Sequence, residues 1–108
     1  MVQIKNIPRS LRKKGLEKKL LKVVESNNIV FMGIFGSYIR GEQRKRSDVD
    51  IAIRFKEGSR KSLLDLVEVE LELGKVFGRK IDLGEVDALN VHIKDEILNS
   101  LKVIYAEG

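Results

Sequence analysis

The order of apolar and polar positions predicts a chain in which helices and strands alternate. Residues 16–27 repeat apolar side chains at helical spacing and have a lysine-rich opposite side, which is typical of a helix packed on a sheet. Residues 29–35 form a nearly unbroken apolar run, which predicts a strand that is buried on both faces. Residues 49–55 alternate between apolar and polar, so they predict a second strand with one face toward the core.

Residues 62–77 carry a pattern that fits two structures. The alternation through residues 66–73 is compatible with a strand. The length of the segment, its Leu and Glu content and Gly78 at its end favour a helix instead. Ser62 and Asp65 have the spacing of a capping pair at a helix start. We therefore predict a helix here.

The rest of the chain predicts a short strand at residues 79–84, a helix at 90–99 and a last edge strand at 101–105. The first nine residues have no clear period, so we expect them to form a loose lead-in. The length of the whole chain and the order of its predicted elements indicate that residues 1–108 form one small α/β (α+β) domain with a single core.

Composition limits the chemistry that this domain can support. The chain has no cysteine and one histidine, so we expect neither disulfides nor a thiolate or histidine-rich metal site. A bound metal would then be held by oxygen, which favours magnesium or manganese. No apolar run approaches the roughly 20 residues that cross a bilayer. The basic start also lacks the apolar stretch of a signal peptide, so we expect no membrane partner and a cytoplasmic location.

Charge is unevenly distributed along the chain. Residues 1–61 contain 16 Lys and Arg against 6 Asp and Glu, whereas residues 62–108 contain 5 against 10. Such a basic half raises the local concentration of anions, among them nucleotides, nucleic acid and acidic protein surfaces. A charged exterior that only solvates the protein would give the same composition.

Two motifs indicate where chemistry takes place. Gly36 and Ser37 follow the predicted buried strand, and a glycine turn there lets backbone amides approach phosphate oxygens at a helix start. A plain strand-to-helix turn would have the same residues. Asp48 and Asp50 fall on the polar face of the next strand, about 6.5–7 Å apart, where a divalent cation would offset their repulsion. Asp82, on the polar face of a later strand, supplies a third carboxylate.

The combination of GS, ten residues and DVD, followed later by KIDL, resembles the DNA polymerase β-type nucleotidyltransferase superfamily. The short length and the segment GSYIRGE are similar to its minimal nucleotidyltransferases, the antitoxin partners of HEPN-domain toxins. The resemblance covers roughly residues 16–105. It implies a mixed sheet flanked by helices, in agreement with the predicted order of elements.

The resemblance also implies a role for each motif residue. Gly36, Ser37 and Arg40 would hold the triphosphate of ATP. Asp48 and Asp50 would bind Mg²⁺. The site as a whole would hold two Mg²⁺ ions, which Mn²⁺ can replace. Asp82 would be the third acid, which bridges to the second ion or takes the proton of the attacking hydroxyl.

The activity implied is transfer of AMP from ATP to a hydroxyl of a partner protein, a tyrosine of the HEPN ribonuclease toxin, which silences that toxin. Three alternatives stay open at this point: an RNA or small-molecule acceptor, an antitoxin that acts by binding alone, and a basic nucleic-acid-binding module without catalysis. The sequence leaves open the acceptor, the nucleotide preference and the oligomeric state.

Overall fold

The computed structural model describes residues 4–35, 48–59, 61–88 and 91–107, without the side chains of residues 93, 94 and 97. Within these ranges the regular elements follow the predicted order: α1 (Leu16–Ser26), β1 (Ile29–Phe35), β2 (Val49–Phe55), α2 (Leu63–Phe77), β3 (Ile81–Glu85), α3 (Val91–Ser100) and β4 (Lys102–Ala106). Single turns of 3-10 helix occur at Arg9–Leu11 and Val86–Ala88. None of the described helices is long and apolar enough to span a bilayer.

The four strands form one mixed sheet in the order β3-β2-β1-β4. β1 pairs antiparallel with both β2 and β4, whereas β2 and β3 are parallel. The parallel pair follows from α2, because the chain must return along a crossover helix before it can enter β3 in the direction of β2. β4 lies at an edge of the sheet, as the sequence predicted.

One face of the sheet carries the hydrophobic core. α1 lies against β1, α2 lies against β3, and the two helices contact each other. The fully buried side chains that fill this layer come from both helices and from β1 and β2: Leu20, Val24, Met32, Ile34, Val49, Ile51, Ile53, Val69 and Leu73. β2 contributes its apolar positions to this layer, so its polar positions face the other side.

The opposite face comes close to the connection between α3 and β4. A Cβ atom on Gly33 would lie 2.5 Å from Cδ1 of Leu101 and 3.3 Å from the carbonyl oxygen of Lys102. Met32 and Ile34 point into the core, so Gly33 faces the other way, and Leu101 packs directly on it. The glycine within the predicted buried strand thus makes room for a close contact.

Local hydrogen bonds decide that residues 63–77 form a helix rather than a strand. The Ser62 amide donates to Asp65 Oδ2 at 2.7 Å, and the Asp65 amide donates to Ser62 Oγ at 3.4 Å, so the capping box is complete. Gly78 ends the helix with a φ of 66°, a left-handed conformation that glycine adopts without steric cost. The predicted helix is confirmed, and the alternation of residues 66–73 does not produce a strand.

The predicted loose lead-in is wrong from Ile4 onward. Ile4 and Ile7 are buried in the core cluster, and the Lys5 amide donates to the Ile104 carbonyl oxygen at 2.9 Å. Arg12 Nε holds the following turn by donating to the Ile7 carbonyl oxygen at 3.0 Å. The segment has no sequence period because it runs beside the edge strand β4, and its described part is held in the core by two apolar side chains, Ile4 and Ile7.

Candidate active site

A row of three residues crosses the sheet on the face opposite α1 and α2. Phe35, the last residue of β1, pairs with Asp50 of β2, and Asp50 pairs in turn with Asp82 of β3. Neighbouring strands lie about 4.8 Å apart, so the two aspartates are direct neighbours on one face. The row stands at the end of the sheet where β1 finishes and where both β2 and β3 begin.

Strand alternation explains why both carboxylates face away from the core. Val49 and Ile51 are fully buried on either side of Asp50, and Ile81 is buried just before Asp82. Asp50 is half-buried, whereas Asp82 is exposed. Asp48, which comes just before β2, is also exposed and precedes Asp50 by one pleat.

The predicted phosphate-binding residues Gly36, Ser37 and Arg40 lie outside the described residues, and their roles stay predictions. The structure does describe the residue that precedes this segment, Phe35, which pairs with Asp50. Phe35, the last described residue before the predicted turn, therefore stands in one row with Asp50 and Asp82.

The donor set suits a hard divalent cation. Asp48, Asp50 and Asp82 offer only carboxylate oxygens, the ligand type that magnesium and manganese prefer. Over the described part of the chain, no three His, Cys, Asp or Glu side chains are grouped so that they could hold a metal ion. Magnesium is usually bound through one or two carboxylates, with waters and substrate phosphates in the remaining positions. The paired Asp50 and Asp82 fit that kind of site, in which a nucleotide would complete the shell.

Two basic residues on the same face were not singled out from the sequence. Lys80 comes just before β3 and is exposed, one pleat before Asp82. Arg54 lies further along β2, where its Nε is 3.3 Å from Asp87 Oδ2 and its guanidinium carbon is 5.9 Å from the centre of the Phe31 ring. Both could have been found from the alternation that placed the aspartates.

Part of the basic first half lines a separate cleft. It lies where the N-terminal segment meets the start of α1, and its volume is about 620 Å³. Its charged lining residues are Lys5, Arg12, Lys13, Glu17 and Lys18. Four of these five side chains are positively charged, so the cleft has a positive potential. All five belong to the basic first half of the chain.

Comparison with known proteins establishes the family. The family model described as polymerase beta, nucleotidyltransferase matches residues 18–107, which is most of the chain. The chain therefore belongs to the polymerase beta nucleotidyltransferase family. The matched range contains the described row of Phe35, Asp50 and Asp82 as well as the predicted phosphate-binding turn.

Two archaeal relatives are similar over most of their length. A provisionally named protein adenylyltransferase of Methanocaldococcus jannaschii is 39% identical over 84 residues, which cover 78% of this chain and 88% of that protein. The protein adenylyltransferase MntA of Thermococcus cleftensis is 39% identical over 74 residues, which cover 68% of this chain and 71% of that protein.

Solved structures share the fold. A chain of a toxin–antitoxin complex with AMP-PNP superposes with a TM-score of 0.70 and 21% identity, over 82% of this chain and 72% of that chain. A chain of the complex between the tri-AMPylated HEPN toxin of Shewanella oneidensis and an MNT antitoxin has a TM-score of 0.62 and 18% identity, over 84% of this chain and 70% of that chain. At these identities the likeness establishes the architecture, a mixed sheet with helices, as the resemblance implied.

Proposed function

We propose that this chain transfers AMP from ATP to a hydroxyl of a HEPN-domain toxin and neutralises the toxin as its antitoxin. The observation that carries the proposal is the row of Phe35, Asp50 and Asp82, in which the residue before the predicted phosphate turn and two acids lie at one end of the sheet. Family membership supports nucleotidyl transfer, and the names of the two archaeal relatives support a protein acceptor. The shared fold of toxin–antitoxin complexes supports the partner.

The carboxylates would hold magnesium. Asp48 and Asp50 would bind the ion that carries the nucleotide, and Asp82 would bind a second ion or accept a proton. Magnesium, when bound, neutralises charge that develops on the attacking and leaving oxygens. Because the described ligands are all carboxylates on one face, manganese would be the metal best able to replace it.

The remaining work of the residues is positioning. Gly36, Ser37 and Arg40 would hold the triphosphate so that the α-phosphorus faces the acceptor hydroxyl. The hydroxyl oxygen forms a bond to that phosphorus, the bond to the oxygen shared with the β-phosphate breaks, and pyrophosphate leaves with the bonding electrons. The proton of the hydroxyl would pass to the Asp82 carboxylate. The described residues form a single core, and the proposed partner would present the acceptor hydroxyl.

The experiment combines the protein with a HEPN toxin, magnesium and ATP labelled at the α-phosphate. We expect label on the toxin and loss of toxin ribonuclease activity. With Asp50→Asn the toxin should stay unlabelled and keep its ribonuclease activity, while the protein still binds the toxin. Glu57→Gln is a matched control, because Glu57 is exposed in the turn beyond the other end of β2.

Three results would contradict the proposal and select an alternative. Label on RNA or on a small molecule instead of the toxin would indicate another acceptor. Toxin neutralised without label, and equally well by Asp50→Asn, would indicate an antitoxin that acts by binding alone. Nucleic-acid affinity that falls steeply with salt and survives Asp50→Asn, without any transfer, would indicate a binding module.

A further inference from the structure

Lys80 provides a positive charge beside the candidate carboxylates. We infer that its ammonium group binds the β- and γ-phosphates of the nucleotide and stabilises the pyrophosphate as it leaves. This inference rests on the proposed function and adds to it a residue that holds the leaving group. Lys80 directly precedes β3 and is the first residue of the KIDL segment, outside the GS and DVD motifs.

Strand pairing fixes the position of Lys80. The Val49 amide donates to the Lys80 carbonyl oxygen at 2.9 Å, and Val49 pairs with Ile81 in the parallel register of β2 and β3. The same register, continued by one residue, places Lys80 opposite Asp48. Ile81 is buried, so Lys80 and Asp82 on either side of it share the outer face.

The positive charge of Lys80 is not paired with the neighbouring acids Asp48 and Asp82 in the described part of the chain. Lys80 is exposed, and in the part of the chain that the structure describes it makes no ion pair with Asp48 or Asp82. A triphosphate that approaches these carboxylates meets repulsion, and a lysine at their border offsets part of it. Lysine is well suited to this task because its ammonium group is a compact point charge that binds phosphate without a fixed orientation.

A simpler role for Lys80 is a surface ion pair with Asp48 that forms in solution. Such exposed pairs contribute little to stability and would leave nucleotide binding unchanged. The two roles therefore predict different binding affinities after Lys80 is replaced. Loss of a phosphate contact would weaken binding of both ATP and pyrophosphate, whereas loss of an ion pair would weaken neither.

The contact between Lys80 and the β-phosphate would matter most when pyrophosphate leaves. When the bond between the α-phosphorus and the bridging oxygen breaks, that oxygen and its neighbours on the β-phosphate gain negative charge. The positive charge of the Lys80 side chain stabilises this negative charge electrostatically. The acceptor oxygen forms the new bond to phosphorus and its proton goes to the base, so atoms and charge balance without a further reactant.

The test compares Lys80→Met and Lys80→Arg with wild type and with Lys56→Met. Lys56 is an exposed lysine beyond the opposite end of β2, so it controls for loss of one surface charge. Binding of ATP with magnesium and of pyrophosphate with magnesium is measured by calorimetry on the full chain without a partner. We expect Lys80→Met to weaken both by about 10- to 100-fold, which is the usual effect of losing a hydrogen bond to a charged group. Lys80→Arg should recover most of the affinity, and Lys56→Met should bind like wild type.

The transfer reaction supplies a second measurement. With the toxin as acceptor, Lys80→Met should lower kcat/KM for ATP and raise the pyrophosphate concentration that gives half inhibition, each about 10-fold or more. Unchanged urea midpoints for all three variants would exclude a folding defect.

Each outcome bears on one of the two claims. If Lys80→Met binds ATP and pyrophosphate as wild type does, the inference is overturned even if transfer occurs. If wild type binds ATP through Lys80 but labels no toxin, the proposed function fails and the contact of Lys80 with the phosphates stands. Wild type that binds neither ligand overturns the inference.

Discussion

Asp50 and Asp82 are register partners in the parallel pairing of β2 with β3, and their carboxylates share one face of the sheet. Like charges placed directly opposite each other destabilise a sheet. Neither side chain is needed for the core, because the apolar positions of both strands face the other way. The arrangement is therefore costly for folding, which is typical of residues that serve a ligand.

Asp82→Asn should separate function from folding. The substitution removes a carboxylate from the site, so we expect transfer of AMP to fall at least about 100-fold, equivalent to a few kcal/mol of transition-state stabilisation. It also removes the repulsion with Asp50, so the free energy of unfolding without divalent ions should stay the same or rise by up to about 1 kcal/mol. Urea titrations and labelled ATP measure the two effects. A variant that loses activity because it unfolds would contradict this expectation.

Magnesium should stabilise the wild-type protein against heat. A ligand that binds only the folded state, present at ten times its dissociation constant, adds about 1.4 kcal/mol. We expect the melting temperature to rise with magnesium in the wild type and to stay constant in Asp50→Asn. Calcium, which is larger and prefers more ligands, serves as the comparison ion. Equal stabilisation of both proteins by magnesium would place the ion elsewhere.

Leu73 and Leu71 should respond very differently to truncation. Leu73 is fully buried, whereas Leu71 is 63% exposed on the outer side of α2. Leu73→Ala should therefore cost about 2–5 kcal/mol of unfolding free energy. Leu71→Ala should change it by no more than about 0.5 kcal/mol. Because strand alternation would bury both residues on one face, similar losses in the two urea titrations would contradict the helix.

Asp65 should make stability depend on pH at the start of α2. The hydrogen bonds from the backbone amide and the hydroxyl of Ser62 hold the pKa of this carboxyl below its ordinary value of 3.8. The lowered pKa means that the stabilisation is present above the unfolded pKa and is lost as pH falls through the folded pKa. The stability difference between wild type and Asp65→Asn should therefore shrink as the pH drops below about 4. Urea midpoints measured across that range test this, and a constant difference would refute the capping role.

Gly33→Val should destabilise the sheet by crowding Leu101. The new side chain would begin 2.5 Å from Leu101 Cδ1 and 3.3 Å from a backbone oxygen, so we expect a loss of about 1–3 kcal/mol. In the Leu101→Ala background the same change should cost less, because the flexible partner has been removed. A double-mutant cycle measures this coupling, and additive losses would show that the two side chains do not meet.

Several elements could be predicted from local signals because those signals agree with the final packing. The apolar run of β1 and the alternation of β2 gave their observed bounds, Ile29–Phe35 and Val49–Phe55. For α2, the capping pair and Gly78 outweighed a misleading alternation. The first segment could not be predicted in this way, because Ile4 and Ile7 are buried only through pairing beside β4.

The sequence by itself determined which side chains of each strand face away from the core, since alternation is a local property of the extended chain. It therefore placed Asp48, Asp50 and Asp82 on polar faces. Only the tertiary structure decided that β2 and β3 are neighbours, that they run parallel, and that Asp50 stands opposite Asp82 with Lys80 one pleat away. Register is set by contacts between distant segments, here by the pairing of β2 with β3 and by the packing of α2 on β3, and a slip of one residue would have turned one carboxylate into the core.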